Sequence, residues 1–121
     1  MKLTPVEKER LWIFLAAELA RKRRAAGLKL NHPEAVAIIC DDVIEAARAG
    51  RSYDEAAAAG YGALSEDDVL AGVADLVDRI QIEGLFDDGT QLVTLWFPVK
   101  NSPPPHPQPK RPSAAPQTSP S

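Results

Sequence analysis

The stretch from Leu30 to Gly50 carries its own start and stop, and it constrains the fold more than any other part of the chain. Asn31 is placed to accept a hydrogen bond from the free N–H groups of a first helical turn. Glu34, three residues on, is placed to reach back, and Pro33 falls where a missing N–H costs little. Gly50 supplies the left-handed residue that closes a helix. Between these signals Val36, Ile39, Cys40, Val43, Ile44 and Ala47 recur at helical spacing as one apolar stripe, with Asp41, Asp42, Glu45 and Arg48 mostly off it. The spacing predicts a central helix packed by its neighbours.

The flanking segments follow the same grammar. Thr4-Pro5-Val6-Glu7 reads as a helix start, and the helix runs to about Ala26 with Gly27 ending it. Leu11, Trp12, Leu15, Leu19 and Ala26 supply an apolar face, with Phe14 at its margin. Acids lie early and the Arg21-Lys22-Arg23-Arg24 cluster lies late, which complements the helix dipole. Ser52-Tyr53-Asp54-Glu55 opens a short helix, because Gly60 and Gly62 follow within two turns. Ser65-Glu66-Asp67-Asp68 opens another, carrying Val69, Val73, Leu76, Val77 and Ile80 at helical spacing, with Gly72 weakening it by about 1 kcal/mol relative to alanine.

Near Ile80 the period becomes two. Ile80, Ile82, Gly84 and Phe86 share one side; Gln81, Glu83 and Leu85 share the other. A turn at Asp88-Gly89 then leads to a second strand over residues 91–97, ended by Pro98. The expected fold is α+β: a small single domain of about four helices followed by a C-terminal antiparallel β-hairpin, over residues 1–100. Residues 101–121 are Pro, Ser, Gln and Ala without periodicity, and are expected to be a disordered or extended Pro-rich tail.

The second strand has two largely apolar faces, Leu92, Thr94, Trp96 and Val93, Leu95, Phe97. A hairpin on one layer of helices buries only one face, so the other predicts a covering partner. Charge adds a second candidate surface. Residues 1–30 hold eight Lys or Arg against three acids, whereas residues 31–100 hold four against fourteen. A basic patch on a chain of net charge −3 suits protein docking, and neither a basic stripe nor aromatic interleaving points to nucleic acid. The candidate partner interface is therefore Arg21, Arg23, Arg24, Leu95, Trp96 and Phe97.

Catalytic chemistry is not legible. Cys40 is the one cysteine, which suits a reducing compartment and reads as a small buried hydrophobe. His32 and His106 have no partners at metal-ligand spacing. The adjacent carboxylates Asp41-Asp42, Asp67-Asp68 and Asp87-Asp88 diverge rather than form a dyad and read as solvated surface. No catalytic, cofactor or metal residue is expected in this chain. No apolar run spans a membrane and the N-terminus lacks a signal-peptide core, so a cytoplasmic location is expected.

Several separated motifs together resemble one family. Met1-Lys2-Leu3-Thr4-Pro5 with Glu7, Leu28-Lys29-Leu30-Asn31 with Pro33-Glu34-Ala35, Gln81 with Glu83, Phe86 with Asp88-Gly89-Thr90, and Leu92-Val93-Thr94 are similar to the urease gamma subunit, in order over residues 1–99. The resemblance implies a non-catalytic chain assembling with alpha and beta subunits as a trimer of alpha-beta-gamma units. It implies that urea is hydrolysed to ammonia and carbamate at nickel held by the alpha subunit, with no cofactor here. Departures from the family pattern fall at His32, Ala46, Ala49, Ala56-Ala57-Ala58-Ala59, Leu70 and Leu95-Trp96-Phe97. They leave a second reading: a stand-alone interaction or regulatory module on the same fold.

Overall fold

The computed structural model describes residues 2–103. The tail expectation covers residues 101–121 and so lies, apart from its first three residues, outside the described ones. Four α-helices precede a two-stranded sheet: α1 (Pro5–Ala25), α2 (His32–Arg48), α3 (Tyr53–Tyr61), α4 (Val73–Leu76), β1 (Arg79–Phe86) and β2 (Gly89–Trp96). A single 3-10 turn, Glu66–Asp68, stands between α3 and α4.

The first three helices start as their sequences dictate. Thr4, Asn31 and Ser52 each accept from the backbone of the third helical residue. Glu7, Glu34 and Glu55 in turn accept from the cap N–H, at 2.8–2.9 Å. Gly27 and Gly50 take positive φ just beyond α1 and α2.

Helix α2 is the hub. α1, α3 and β1 all pack on it, and β2 packs on α3. Burial on α2 extends beyond the expected stripe to Ala35, Ala37, Ile38 and Asp41, because three elements surround it rather than one layer. At the α2–α3–β2 junction the helices come close enough that a Cβ on Gly60 would lie 2.5 Å from Leu95 Cδ1 and 2.8 Å from Val43 Cγ2.

The segment 65–80 departs from the expected helix. Ser65 N–H and hydroxyl both donate to Asp68 Oδ2, so the box forms, but it opens only one 3-10 turn. Val69 then turns extended and forms a parallel bridge with Leu30, with Leu30 N–H donating to Asp68 O and Leu70 N–H to Leu30 O. Gly72 takes φ +86° with nothing near its missing Cβ, so its role is conformational: it reverses the chain and caps the four-residue α4. The spacing of Val69, Val73 and Val77 matched a helix, yet only Val73 lies in one: Val69 is buried from the bridge to Leu30 and Val77 from just beyond α4.

The hairpin register pairs Ile80 with Leu95 and Ile82 with Val93 on the inner face. Phe86 pairs with Gly89, so the two-residue turn is Asp87–Asp88, one position earlier than expected.

Candidate partner-docking surfaces

Alternation along β2 puts Val93 and Leu95 inside, against α2 and α3, and leaves Leu92 and Trp96 outside. Leu95 has no exposed surface. Its place in the candidate interface is corrected: the chain's own helices cover the inner face of the strand. Phe97 does not follow Leu95 inward. Its φ of +46° is the one positive value among the described non-glycine residues, and it turns the chain out of the sheet so that Pro98 and Val99 enter the core instead.

The resulting corner is held at every backbone group. Trp96 N–H donates to the Tyr61 hydroxyl at 3.0 Å, and Trp96 O accepts from Asn101 Nδ2 at 2.9 Å. Phe97 N–H donates to Asp78 O at 2.6 Å, and Phe97 O accepts from Asn101 N–H at 2.8 Å. The two aromatic side chains stand outward, Trp96 54% exposed, with Arg79 5.7 Å from the Trp96 ring and Lys100 5.9 Å from the Phe97 ring. Left-handed backbone at a bulky residue costs on the order of 1–3 kcal/mol and persists where surrounding bonds over-determine it, commonly at clamps and binding sites. Rigid aromatics displayed this way lose little freedom on binding.

The arginine cluster has a different role. Arg21 donates to Glu18 Oε2 at 2.6 Å, Asp41 Oδ2 at 2.7 Å and Asp42 Oδ1 at 2.9 Å. Arg23 pairs with Glu34 at 2.5 Å, and Arg24 grips both oxygens of Asp68 at 3.1 and 3.2 Å. These bonds staple α1 to α2 and to the 3-10 turn. Burial lowers the affinity of Arg21 for its proton, but the three carboxylates outweigh it and raise its pKa. Glu34 is held below the usual carboxylate range by the Asn31 N–H and then by Arg23. Burial pushes Asp42 up, against the pull of Arg21. Asp41 is only 4% exposed, so it is an internal ion-pair acceptor and not solvated surface; Asp68 is likewise engaged.

The larger exposed surface was not singled out from the sequence as a site. Leu11, Trp12, Leu15 and Leu19, together with Phe14, lie on the outside of α1, Trp12 at 68% exposure. The face of α1 that packs on α2 is instead Ala17 and Ala20, with Ile13 partly buried beside them. Alanines allow close helix approach, so the narrow small-residue side turns inward and the leucine side outward. Beside this face a groove of about 570 Å³ opens between α1, α2 and β1, with Leu3, Leu11, Phe14, Ile44 and Leu85 among its lining.

Cys40 is buried, and burial first, then the charges of Glu9 and Asp41, push its thiol up to about 11. His32 sits exposed at the first position of α2. Among the described residues no three His, Cys, Asp or Glu side chains are grouped to hold a metal ion, and no helix is long and apolar enough to cross a membrane.

Residues 1–99 match the family model described as urease, gamma subunit. A curated relative, the urease subunit gamma/beta of Pseudomonas syringae pv. syringae (strain B728a), is 54% identical over 100 residues, covering 83% of this chain and 43% of the relative. The chain thus spans less than half the length of that relative.

Proposed function

The chain belongs to the urease gamma-subunit family, and from that premise we propose that it is a non-catalytic structural subunit of a urease complex. In this reading it docks on an alpha subunit that holds nickel and hydrolyses urea to ammonia and carbamate, with a beta subunit completing an alpha-beta-gamma unit repeated three times. The complex works in the cytoplasm. The described residues do not fit a nickel centre of their own, so no catalytic step is assigned to this chain.

The observation that carries the docking reading is the locked Trp96–Phe97 corner: two outward aromatics on a strained, fully bonded backbone. Its order is in place before any partner arrives, which suits an anchor. Of the candidate interface residues, Trp96 and Phe97 remain as contact residues. Arg21, Arg23 and Arg24 act by fixing α1.

The test is co-expression of the full tagged chain with the alpha and beta subunits of its host, followed by affinity capture, mass identification and an assay of ammonia release from urea. Recovery of active alpha and beta is expected. Trp96→Asp should release alpha while the helical circular dichroism is kept; normal assembly of that variant would remove the corner from the interface. Capture of the wild-type chain alone would favour a stand-alone module on the same fold.

A further inference from the structure

We propose that the free edge of β1 is a strand-addition site. It accepts an extended, proline-free segment of another polypeptide in which apolar residues alternate with Lys or Arg. This goes beyond the subunit reading and does not depend on it, since it concerns the kind of segment that fits rather than the chain that brings it.

The hairpin has only two strands, so each has one outer edge. Phe97 N–H donates to Asp78 O one step beyond the register, which makes Ile80–Leu95, Ile82–Val93 and Gly84–Gln91 the hydrogen-bonded pairs. Gln81, Glu83 and Leu85 therefore point their N–H and C=O groups away from β2. Among the described residues none of these three N–H groups has a hydrogen-bond acceptor. The row runs about 13 Å along the strand, the length of an added segment of about five residues. The outer edge of β2 differs: it is closed at Trp96 by Tyr61 and Asn101.

Beside the free edge there is room. Helix α1 and strand β1 both pack on α2, and neither packs extensively on the other. The groove of about 570 Å³ between them has Phe14, Ile44 and Leu85 in its lining. A smaller cleft of about 180 Å³ shares Arg10 and Ile44 with it and reaches Gln81, Ile82 and Glu83. A third strand laid about 4.8 Å from β1 extends the sheet across this floor and turns every second side chain towards it. Those side chains meet Ile44 and Phe14, which calls for apolar residues.

Charge fixes the intervening positions. Glu7, Glu9, Glu45 and Glu83 line the two hollows against Arg10 and Arg48, while Asp41 is already paired with Arg21. Among the described residues Glu9, Glu45 and Glu83 are exposed and have no ion-pair partner. The excess of carboxylates favours Lys or Arg on the incoming strand. A second copy is disfavoured, because two β1 edges meeting about a twofold axis centred on the free row set Glu83 against Glu83. The C-terminal residues of the chain itself are excluded by composition. From Pro103 onward no more than three residues separate one proline from the next, and proline has no N–H to donate.

The test is amide hydrogen exchange, read by NMR on the full chain with the end-capped peptide Lys-Val-Lys-Ile-Lys-Val. Exchange at Gln81, Glu83 and Leu85 is expected to slow about tenfold or more at saturating peptide, with Leu92 and Thr94 unchanged. No slowing at the first three amides, or slowing confined to Leu92 and Thr94, would overturn the proposal. Glu83→Pro removes one outward donor without breaking a hairpin bond, so it should abolish the protection while melting close to the wild type. Should that variant not fold, the peptide Lys-Val-Pro-Pro-Lys-Val asks the same question from the other side, and protection equal to that of the parent peptide would overturn strand pairing. Glu-Val-Glu-Ile-Glu-Val should bind about tenfold more weakly or worse; equal binding would overturn the basic alternation. Capture of alpha by the wild-type chain is a separate readout, so failure of the subunit reading and failure of this one are told apart.

Discussion

Arg21 Nη2 lies 2.7 Å from Asp41 Oδ2 and 2.9 Å from Asp42 Oδ1, so one guanidinium group on α1 bonds two adjacent carboxylates on α2. Asp41 is nearly inaccessible to water, and Arg21 is the cation that pairs with it. Arg21→Met should therefore destabilise the domain by about 2–3 kcal/mol, below the range of about 3–5 kcal/mol for breaking a fully buried pair, since Arg21 itself is one-third exposed. Asp41→Leu in the same background should recover part of the loss. Urea unfolding followed by circular dichroism measures both.

Gly60 is packed without room for a side chain. Gly60→Ala places a methyl against Leu95 and Val43 at distances that force one of them to move. The expected cost is about 1–3 kcal/mol, from overpacking, despite the better helix propensity of alanine. Thermal melts would read it as a lowered Tm, with Val43→Ala as a partial rescue.

Glu34 sets one contribution to acid stability. Its folded pKa lies below the ordinary 4.5, so the unfolded chain binds its proton more tightly. The stabilisation is therefore complete above the unfolded value and is lost as pH falls through the folded one. Glu34→Gln should lower the urea midpoint at neutral pH, and the gap to the wild type should close on acidification below the ordinary value of 4.5.

Cys40 should resist alkylation. With its pKa near 11, about one thiol in a thousand is ionised at pH 8, and α2 is enclosed by its neighbours. Labelling by iodoacetamide is expected to proceed at the rate of unfolding in the native protein and at the rate of a free thiol in urea.

Sequence made the caps and the strand alternation legible because both rest on local chemistry. The boxes at Thr4, Asn31 and Ser52 and the alternation from Ile80 to Phe86 are read from neighbours within four residues. The errors lie where distant contacts decide. Val69 leaves the helical pattern because Leu30 offers it a bridge, and Gly72 then reverses the chain. The turn shifts to Asp87–Asp88 because inner-face pairing of Phe86 with Gly89 fixes it. On α1, hydrophobicity marked the leucine side, but helix approach is governed by the alanine side, and nothing local says which of two apolar sides faces α2. At the end of the hairpin Trp96 and Phe97 were legible as excess apolar surface. The positive φ that sends Phe97 outward was not, since it depends on Tyr61, Asp78 and Asn101.

The leucine face of α1 also bears on the life of the chain before assembly. A patch of this kind, left uncovered, is open to chaperones, proteases and other unfolded chains. Overproduced and uncovered, the chain is expected to be limited in solubility by one helix whose outer side carries Leu11, Trp12, Leu15 and Leu19.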